Sequence, residues 1–263
     1  MVCEATGGYE MSLIMLCNKH KILIFRVNPR QVRDYAKASG KLAKTDKLDA
    51  KILVEFAKVF ELQPTDISGN YPLSSLVRHR LNFVEQRSIN LKQHGKTNDE
   101  KIRISLEKII VALDEEIANI DVQISALIKS DNNLNKKERI LKSFIGIGDK
   151  TAAILLAELP ELGTISAGKI SALTGLAPFN SDSGMKTGKR SIRGGRKVPR
   201  NALYMATLVA TRHNPVIHNY YNRLKEKGKC FKQAITACMH KVLIIINTML
   251  KNNQEWNKNY VNQ

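Results

Sequence analysis

A long stretch of regularly spaced aliphatic residues constrains the fold more than any other feature of this sequence. Between residues 99 and 130, aliphatic side chains recur at intervals of three and four, the spacing of a coiled-coil seam. The stretch carries seven acidic and four basic residues, so it is acidic within a basic chain. It predicts a long helix that packs against another helix, either residues 73–95 of the same chain or a second subunit. The seam consists of Ile102, Leu106, Ile109, Leu113, Ile117, Ile120, Ile124 and Leu127.

The overall charge narrows the class of partner. Among 263 residues, 42 are Lys or Arg and 24 are Asp or Glu, which gives a net charge of +18. Such an excess of positive charge suits a polyanionic partner, most often nucleic acid. No run approaches the roughly 18 uninterrupted apolar residues of a membrane-spanning helix, so the sequence predicts no membrane partner. Four cysteines without a C-x-x-C pair, and the lack of a signal peptide, indicate a cytoplasmic protein with reduced thiols.

The first 62 residues have the element order of part of an α/β domain. Residues 22–27 predict a buried strand that ends before Pro29, and residues 29–39 predict a short helix. A second helix is predicted over residues 46–60. Because one or two strands cannot form a stable sheet, we expect the chain to begin in the middle of a domain.

Two aspartates lie three residues apart at the start of this second helix. Asp46 and Asp49 fall on one helical face, where adjacent carboxylates repel each other unless a positive group lies between them. In one interpretation Lys44, Lys47 and Lys51 neutralise them on a solvated face. In the other, the two carboxylates bind a divalent metal ion. The spacing alone leaves both interpretations open, because short acidic motifs are common.

Residues 130–138 predict a polar linker, and a second, α-helical domain is predicted from about residue 138 to 250. This domain opens with an apolar helix, a tight turn and another helix, which is the pattern of a helix-hairpin-helix. Such a hairpin aims backbone N–H groups at DNA phosphates, so Gly146, Gly148 and Lys150 are candidate DNA contacts. A plain helical hairpin without a ligand is the alternative.

A basic, glycine-rich run is the most unusual part of this second domain. Residues 184–200 contain seven cations and no acidic residue, which favours a clamp on a phosphate backbone over a solvated face. Ser183 precedes the run and is a candidate nucleophile, with a simple turn residue as the alternative. The candidate DNA-binding cations are Lys186, Lys189, Arg190, Arg193, Arg196, Lys197 and Arg200.

Three segments in this order resemble the insertion-sequence transposases of the "one-ten" family, which are relatives of Piv-type DNA invertases and of bridge-RNA-guided recombinases. The segments are CEATGGYE at residues 3–10, VNPRQVRDYAKASGKLAKTDKLDA at residues 27–50, and LTGLAPFNSDSGMKTGKRSIRGGRKVPRNALYMA at residues 173–206. The helix-hairpin-helix stretch at residues 141–159 also fits, so the resemblance covers nearly the whole chain.

The resemblance implies that the N-terminal and C-terminal domains have different functions. The N-terminal domain of the family resembles the Holliday-junction resolvase (RNase H-like) fold, with four carboxylates that hold Mg²⁺ in a two-metal site. Glu4, Asp46 and Asp49 match the last three of these carboxylates, and no residue before Glu4 matches the first aspartate. Ser183 matches the family serine that attacks DNA phosphate and forms a covalent protein–DNA intermediate.

Together these observations predict a mixed but mostly α fold in three parts. They are a truncated resolvase-like α/β fragment at residues 1–62, a helical coiled-coil region at residues 73–130, and a helical transposase domain with a helix-hairpin-helix at residues 138–250. The predicted function is a DNA transposase or recombinase that cleaves and rejoins strands during insertion-sequence transposition. The alternative is a non-catalytic DNA- or RNA-binding remnant or regulator. The predicted partners are DNA, a guide RNA and further copies of the chain through the helix at residues 99–130, in a bacterial cytoplasm at the nucleoid.

Overall fold

The computed structural model describes residues 1–41, 43, 45–65, 71–179 and 191–257. These residues form eleven helices and four short strands, which confirms the prediction of a mostly α protein. The chain divides into two compact units, an N-terminal unit of Met1–Tyr71 and a C-terminal unit of Pro72–Gln263. The three-part division expected from the sequence stays a prediction beside this one.

The N-terminal unit contains a pair of parallel strands and three helices. The elements are β1 (Val2–Glu4), α1 (Met11–Lys19), β2 (Phe25–Val27), α2 (Pro29–Ala38) and α3 (Asp46–Val59). Val2 pairs with Phe25 and Glu4 pairs with Val27, so both strands end at the same edge. Parallel strands need a crossover connection, and α1 provides it here.

The strand predicted over residues 22–27 is only partly correct. Ile22 is 48% and Leu23 is 64% exposed, and β2 begins only at Phe25. The reason is the end of α1, where Lys21 adopts a positive φ of 57° and the Ile22 N–H donates to the Cys17 carbonyl. This helix-terminating turn uses the residues that apolar composition alone assigned to a strand.

The helices predicted over residues 29–39 and 46–60 are present as α2 and α3. Each begins at a side-chain cap, which satisfies backbone N–H groups that have no partner within the helix. Asn28 Oδ1 accepts from the Arg30 N–H at 2.9 Å, and Thr45 Oγ1 accepts from the Leu48 N–H at 3.3 Å. These caps fix where both helices begin, and α2 begins just after β2 ends.

The C-terminal unit contains the remaining helices and a small antiparallel strand pair. The elements are α4 (Tyr71–His94), α5 (Glu100–Ser130), α6 (Asn132–Ser143), α7 (Asp149–Glu158), α8 (Ala167–Thr174), β3 (Pro178–Phe179), β4 (Ser191–Ile192), α9 (Lys197–His213), α10 (Pro215–Glu226) and α11 (Phe231–Asn252). Residues 152–157 of α7 are apolar and mostly buried, and α6, α9 and α11 pack around the same core.

Helices α4 and α5 form an antiparallel hairpin joined by two Arg–Asp ion pairs and one His–Glu hydrogen bond. Successive pairs are spaced seven residues apart on each helix. The residue number increases along α4 and decreases along α5, as expected for one heptad per pair in two antiparallel helices. The pairs are Arg80 with Asp121, Arg87 with Asp114, and His94 with Glu107. Of the two partners that the sequence left open for α5, the neighbouring helix of the same chain is therefore present.

The apolar seam predicted for α5 is buried over only part of its length. Leu106, Leu113 and Ile120 are each less than 10% exposed, whereas Ile102 is 50% and Ile109 is 45% exposed. The two exposed residues occupy the side of α5 that α4 does not cover in this hairpin.

The polar linker predicted over residues 130–138 is wrong, because most of it is the first part of α6. Asp131 alone separates α5 from α6, and its Oδ1 accepts from the N–H groups of Asn133 and Leu134 at 2.8 and 3.0 Å. The polar residues that indicated a linker are thus a helix cap and the solvent-exposed first turns of a helix.

Helix α11 has the length and composition of a membrane span, with a mean hydropathy of 1.3 in its most apolar window. More than half of that window, 56%, is buried inside the protein. Residues such as Val242, Leu243 and Ile246 belong to the main core of the C-terminal unit. This burial identifies α11 as the core helix of a globular unit.

Candidate metal and nucleic-acid sites

Glu4 and Asp49 line one pocket of about 310 Å³ in the N-terminal unit. Glu4 is the last residue of β1, and Asp49 lies in the first turn of α3. Arg30 and Arg33 of α2 line the same pocket. The carboxyl ends of β1 and β2 therefore open onto a cleft that contains two carboxylates and two guanidinium groups. Oxygen ligands suit a hard divalent cation, and guanidinium groups suit a phosphate.

The third predicted metal ligand, Asp46, is exposed and does not line this pocket. It lies one turn before Asp49, where both acidic side chains also stabilise the positive end of the α3 dipole. Within the part of the chain that the structure describes, no three His, Cys, Asp or Glu residues form a group that could hold a metal ion. The structure thus brings Glu4 and Asp49 together and leaves Asp46 apart. Two carboxylates in one cleft fit part of a divalent-metal site.

Glu10 is an acidic residue of this region that the sequence analysis missed. Its Oε2 accepts hydrogen bonds from the Thr6 N–H, the Thr6 hydroxyl and the Gly8 N–H at 2.9–3.0 Å, and Arg26 Nη2 lies 2.6 Å from its Oε1. Burial alone would raise the pKa of Glu10, but these backbone and hydroxyl donors lower it to about 2. Glu10 therefore holds the loop after Glu4 through its Oε2 and forms an ion pair with Arg26 through its Oε1.

Close packing against α9 explains one of the two glycines in the tight turn between α6 and α7. A Cβ on Gly146, which has a φ of +114°, would lie 2.6 Å from the Ala206 carbonyl oxygen of α9. Gly148 has open space around it and is the N-cap of α7. Gly146 is thus required for close approach of the turn to α9, whatever the turn contacts outside the protein.

The N-terminus of α7 already has a charged partner within the chain. Asp149 is its first residue and forms an ion pair with Lys142, and the hydrogen bond from this pair raises the pKa of Lys142. Lys150, a predicted DNA contact, lies 3.7 Å from an Asp121 carboxylate oxygen. The partial positive charge of this helix end is therefore partly offset by acidic side chains before any ligand binds.

Arg196, a predicted DNA contact, is engaged in an internal ion pair. Its Nη1 and Nη2 donate to the Glu161 carboxylate at 2.7 and 2.6 Å, and Nη1 also donates to the Glu158 carbonyl at 2.8 Å. Although burial opposes it, this hydrogen bonding lowers the pKa of Glu161. Arg196 thus joins the segment before α9 to the end of α7, and it does so with the bidentate geometry that arginine favours.

The other described members of the basic run lie at the start of α9. Arg200 Nη1 donates to the Gly194 carbonyl at 2.5 Å, while Lys197 is exposed as the first residue of the helix. Arg193 is exposed as well. Four other predicted positions, Ser183, Lys186, Lys189 and Arg190, lie outside the described residues.

Glycines at the end of α8 and before α9 allow the basic run to pack closely against α8. Gly175 ends α8 with a φ of +67°, and a Cβ there would lie 2.2 Å from the Gly194 carbonyl oxygen. A Cβ on Gly195 would lie 2.1 Å from the Gly175 nitrogen. Only residues without a side chain allow this approach, so the glycines in the sequence indicate close backbone packing here.

A carboxylate cleft at the edge of parallel strands and a strongly basic helical unit define a protein that acts on nucleic acid. Residues 138–222 match the Transposase IS116/IS110/IS902 family, and residues 1–97 match the DEDD transposase family of IS110 elements. The pilin gene-inverting proteins of Moraxella lacunata and Moraxella bovis are each 30% identical over 274 residues, covering 98% of this chain and 82% of the relative. The chain belongs to the IS110 family of transposases.

A shorter match joins the chain to a protein of a further insertion element. The 43.6 kDa protein of insertion element IS110 from Streptomyces coelicolor is 27% identical over 135 residues, covering 50% of this chain and 32% of the relative. These findings confirm the predicted family and the predicted function of a DNA transposase or recombinase. Membership in a DEDD family also implies the use of a divalent metal and the binding of DNA.

Proposed function

We propose that this chain exchanges DNA strands with Ser183 as the nucleophile and with Glu4, Asp46 and Asp49 as ligands of Mg²⁺. The observation that carries the metal part is the meeting of Glu4 and Asp49 in one cleft, although they are far apart in sequence. Residues that converge from a strand end and from a helix start are a common arrangement for a site at the edge of a parallel sheet.

The cleft would act on the phosphate where strands are exchanged. Glu4 and Asp49 would hold the cation, and Asp46 lies on the adjacent turn of α3. A bound divalent ion polarises a phosphoryl oxygen and stabilises the charge that develops on it, and a two-metal site would do so for both oxygens of the exchange. Arg30 and Arg33 line the same cleft and would orient the anionic backbone.

The assignment of Ser183 is supported by the family resemblance alone. A serine hydroxyl is a weak nucleophile at neutral pH and needs a base or nearby positive charge. The flanking basic run would supply positive charge to the phosphate under attack. The helix-hairpin-helix formed by α6, its turn and α7 would contact the DNA backbone near Gly148, the exposed glycine of that turn.

The resemblance further supports a guide RNA as partner and the bacterial nucleoid as the place of action. Self-association through α5 is supported by exposed aliphatic side chains on the α4–α5 hairpin, such as Ile102, Ile109 and Leu91. Exposed apolar residues that recur along one hairpin are typical of a helical interface. The resolvase-like fold of residues 1–62 and the domain boundaries at residues 73, 130, 138 and 250 belong to this proposal as well.

The metal assignment is tested by removing one carboxylate at a time. Glu4→Gln and Asp49→Asn should each lower Mn²⁺ affinity by about a hundredfold or more, because each removes a direct oxygen ligand. Strand exchange should be lost in parallel, and Asp46→Asn should act in the same direction. The matched control is Asp34→Asn, since the Asp34 side chain is 77% exposed on α2. Calorimetry and a strand-exchange assay provide the two measurements.

Variants of Glu4 and Asp49 that bind Mn²⁺ and exchange strands as the wild type does would refute the metal site. The second candidate function is non-catalytic binding of DNA or RNA. One observation favours it: no three-ligand metal group occurs among the described residues. A wild-type chain that binds DNA but exchanges no strands with any divalent metal would support this second function.

A further inference from the structure

A second pocket lies in the C-terminal unit, between the β3–β4 strand pair and the helices α10 and α11. Its volume is about 480 Å³, which is within the usual range for sites that bind small molecules. We call it the stem pocket, because β3 and β4 are the two ends of the segment that contains Ser183. Its lining includes Pro178, Ile192, Tyr220, Lys229, Lys232 and His240.

One wall of the stem pocket is apolar and aromatic. Pro178 and Ile192 come from the strand pair, while Tyr220 and Leu224 come from α10. Two cations contact the Tyr220 ring, with Lys241 Nζ at 4.6 Å and Arg223 Cζ at 5.3 Å from the ring centroid. An aromatic ring held in place in this way can contact a nucleic-acid base with its edge or its face.

Helix α11 lines the stem pocket with hydrogen-bonding groups. Gln233 presents both a donor and acceptors. The Thr236 hydroxyl donates to the Lys232 carbonyl at 2.7 Å, so its oxygen can only accept from a ligand. Burial lowers the pKa of His240, and a neutral imidazole has one donor and one acceptor. Such a mixed set matches the edge of a heterocyclic base better than it matches a plain hydrocarbon.

Lys229 and Lys232 supply positive charge to the stem pocket. Among the residues described by the structure, neither has a carboxylate within ion-pair distance. The surrounding stretch, residues 215–241, contains six Lys or Arg and one Glu. An apolar, aromatic wall beside unpaired cations suits a ligand that is flat at one end and anionic at the other.

We propose that the stem pocket binds one unstacked nucleotide of a nucleic-acid strand, with its base against Tyr220 and its phosphate at Lys229 and Lys232. A base that leaves its stack loses stacking energy, and contact with an aromatic side chain recovers part of it. The proposal rests on the proposed action of the chain on DNA. It adds a subsite that would hold the nucleic-acid strand beside β3 and β4, which flank the segment containing Ser183 in sequence.

The test compares pocket variants with matched controls for binding of a short single-stranded DNA. Ala237→Leu fills the pocket from α11, and Lys232→Ala removes a phosphate contact while leaving the core unchanged. Each should weaken single-strand binding about tenfold, and fully paired duplex should be affected less. The controls are Ala172→Leu, an exposed alanine of α8, and Lys251→Ala, an exposed lysine of α11. Circular dichroism checks that Ala237→Leu folds.

Photo-crosslinking of the same oligonucleotide, with one thymine replaced by iodouracil, locates the bound base. The crosslinked peptide should contain Tyr220. Unchanged single-strand affinity in Lys232→Ala, or a crosslink outside the pocket, would overturn the proposal. Equal affinity for a free mononucleotide and for the oligonucleotide would also overturn it, because the ligand would then not be part of a strand.

The same experiment separates this subsite from the proposed function. If the wild type binds no nucleic acid, both proposals fail. If the pocket variants lose single-strand binding while the wild type exchanges no strands, only the proposed strand exchange fails. If the wild type exchanges strands and the pocket variants bind normally, only the subsite fails.

Discussion

At the residue scale, Glu10 shows how a buried acid can stabilise a loop beside the cleft that contains Glu4 and Asp49. It is 5% exposed and accepts three hydrogen bonds from the loop that follows Glu4. Gly7 and Gly8 of this loop have positive φ values of 73° and 116°. The two glycines allow the loop to adopt this conformation, and the Glu10 carboxylate stabilises it. Glu10 therefore determines the direction of the chain after β1.

The stability of the N-terminal unit should depend on the ionisation of Glu10. The pKa of Glu10 lies at about 2 in the folded protein, below its ordinary value of 4.5. Its contribution, about 3 kcal/mol, is therefore present above pH 4.5 and is lost as the pH falls from 4.5 towards 2. Glu10→Gln should remove this contribution at neutral pH and flatten the pH dependence. Hydrogen exchange of peptides from residues 1–27 measures the effect.

The control for this substitution is Glu61→Gln, at an exposed carboxylate of the same unit. It should leave both the stability and the pH dependence unchanged. Equal protection of the two variants at neutral pH would show that the loop does not depend on the Glu10 carboxylate.

Arg196 shows that a cation in a basic run can also stabilise the fold. Its position among seven cations indicated a DNA contact, yet its guanidinium group binds Glu161 and the Glu158 carbonyl. Charge density in the sequence cannot distinguish these roles, because the acidic partner lies on a different element and is brought close only by packing.

At the element scale, the α4–α5 hairpin contains a seam of apolar residues and ion pairs that differ in how deeply they are buried. The Arg80 side chain is 11% exposed, whereas the Arg87 side chain is 37% exposed. Exposed ion pairs contribute little, but removal of one partner from a buried pair leaves a charge without compensation. The three pairs should therefore differ in their effect on stability, although they look equivalent in sequence.

Asp121→Asn should destabilise the C-terminal unit more than Asp114→Asn does. The first substitution leaves the buried Arg80 without its carboxylate and costs about 2 kcal/mol. The second breaks an exposed pair, so its effect should be small. Urea denaturation followed by the fluorescence of Trp256 measures both, because this residue is the single tryptophan and packs against Phe144 in the core. Equal midpoints for the two variants would contradict the role of burial.

At the scale of the whole molecule, the hairpin combines internal pairing with exposed aliphatic surface. Its exposed aliphatic residues are Val84, Ile89, Leu91, Ile102, Ile104, Ile109, Val111 and Val122, each between 38% and 69% exposed. The acidic excess of residues 99–130 in a chain of +18 makes this surface a poor DNA contact. A second copy of the chain is the partner that we propose for it.

Ile109→Glu should therefore weaken self-association. A charge placed in an apolar helical interface must be desolvated without a partner, which opposes assembly. The control is Ser105→Glu, which adds the same charge at another exposed position of α5. Sedimentation velocity over a range of concentrations measures the distribution of species. A wild type that stays monomeric at all concentrations would disprove association through this surface.

The sequence by itself determined the class of this protein, because that class depends on local and summed properties. Net charge, helical periodicity and the order of the three family segments need no knowledge of distant contacts, and the family comparisons confirm the result. Helices α2 and α3 were predicted for the same reason, since their caps and apolar spacing are local.

Only the tertiary structure decided which polar residues meet. The position of Asp46 outside the cleft that Glu4 and Asp49 line, the pairing of Arg196 with Glu161, and the stem pocket between β3–β4 and α10–α11 all depend on packing between elements. A linear pattern records the type of each side chain and its neighbours along the chain. It does not record which distant side chain shares its cleft, and that neighbour decides whether a charge binds a ligand or holds the fold.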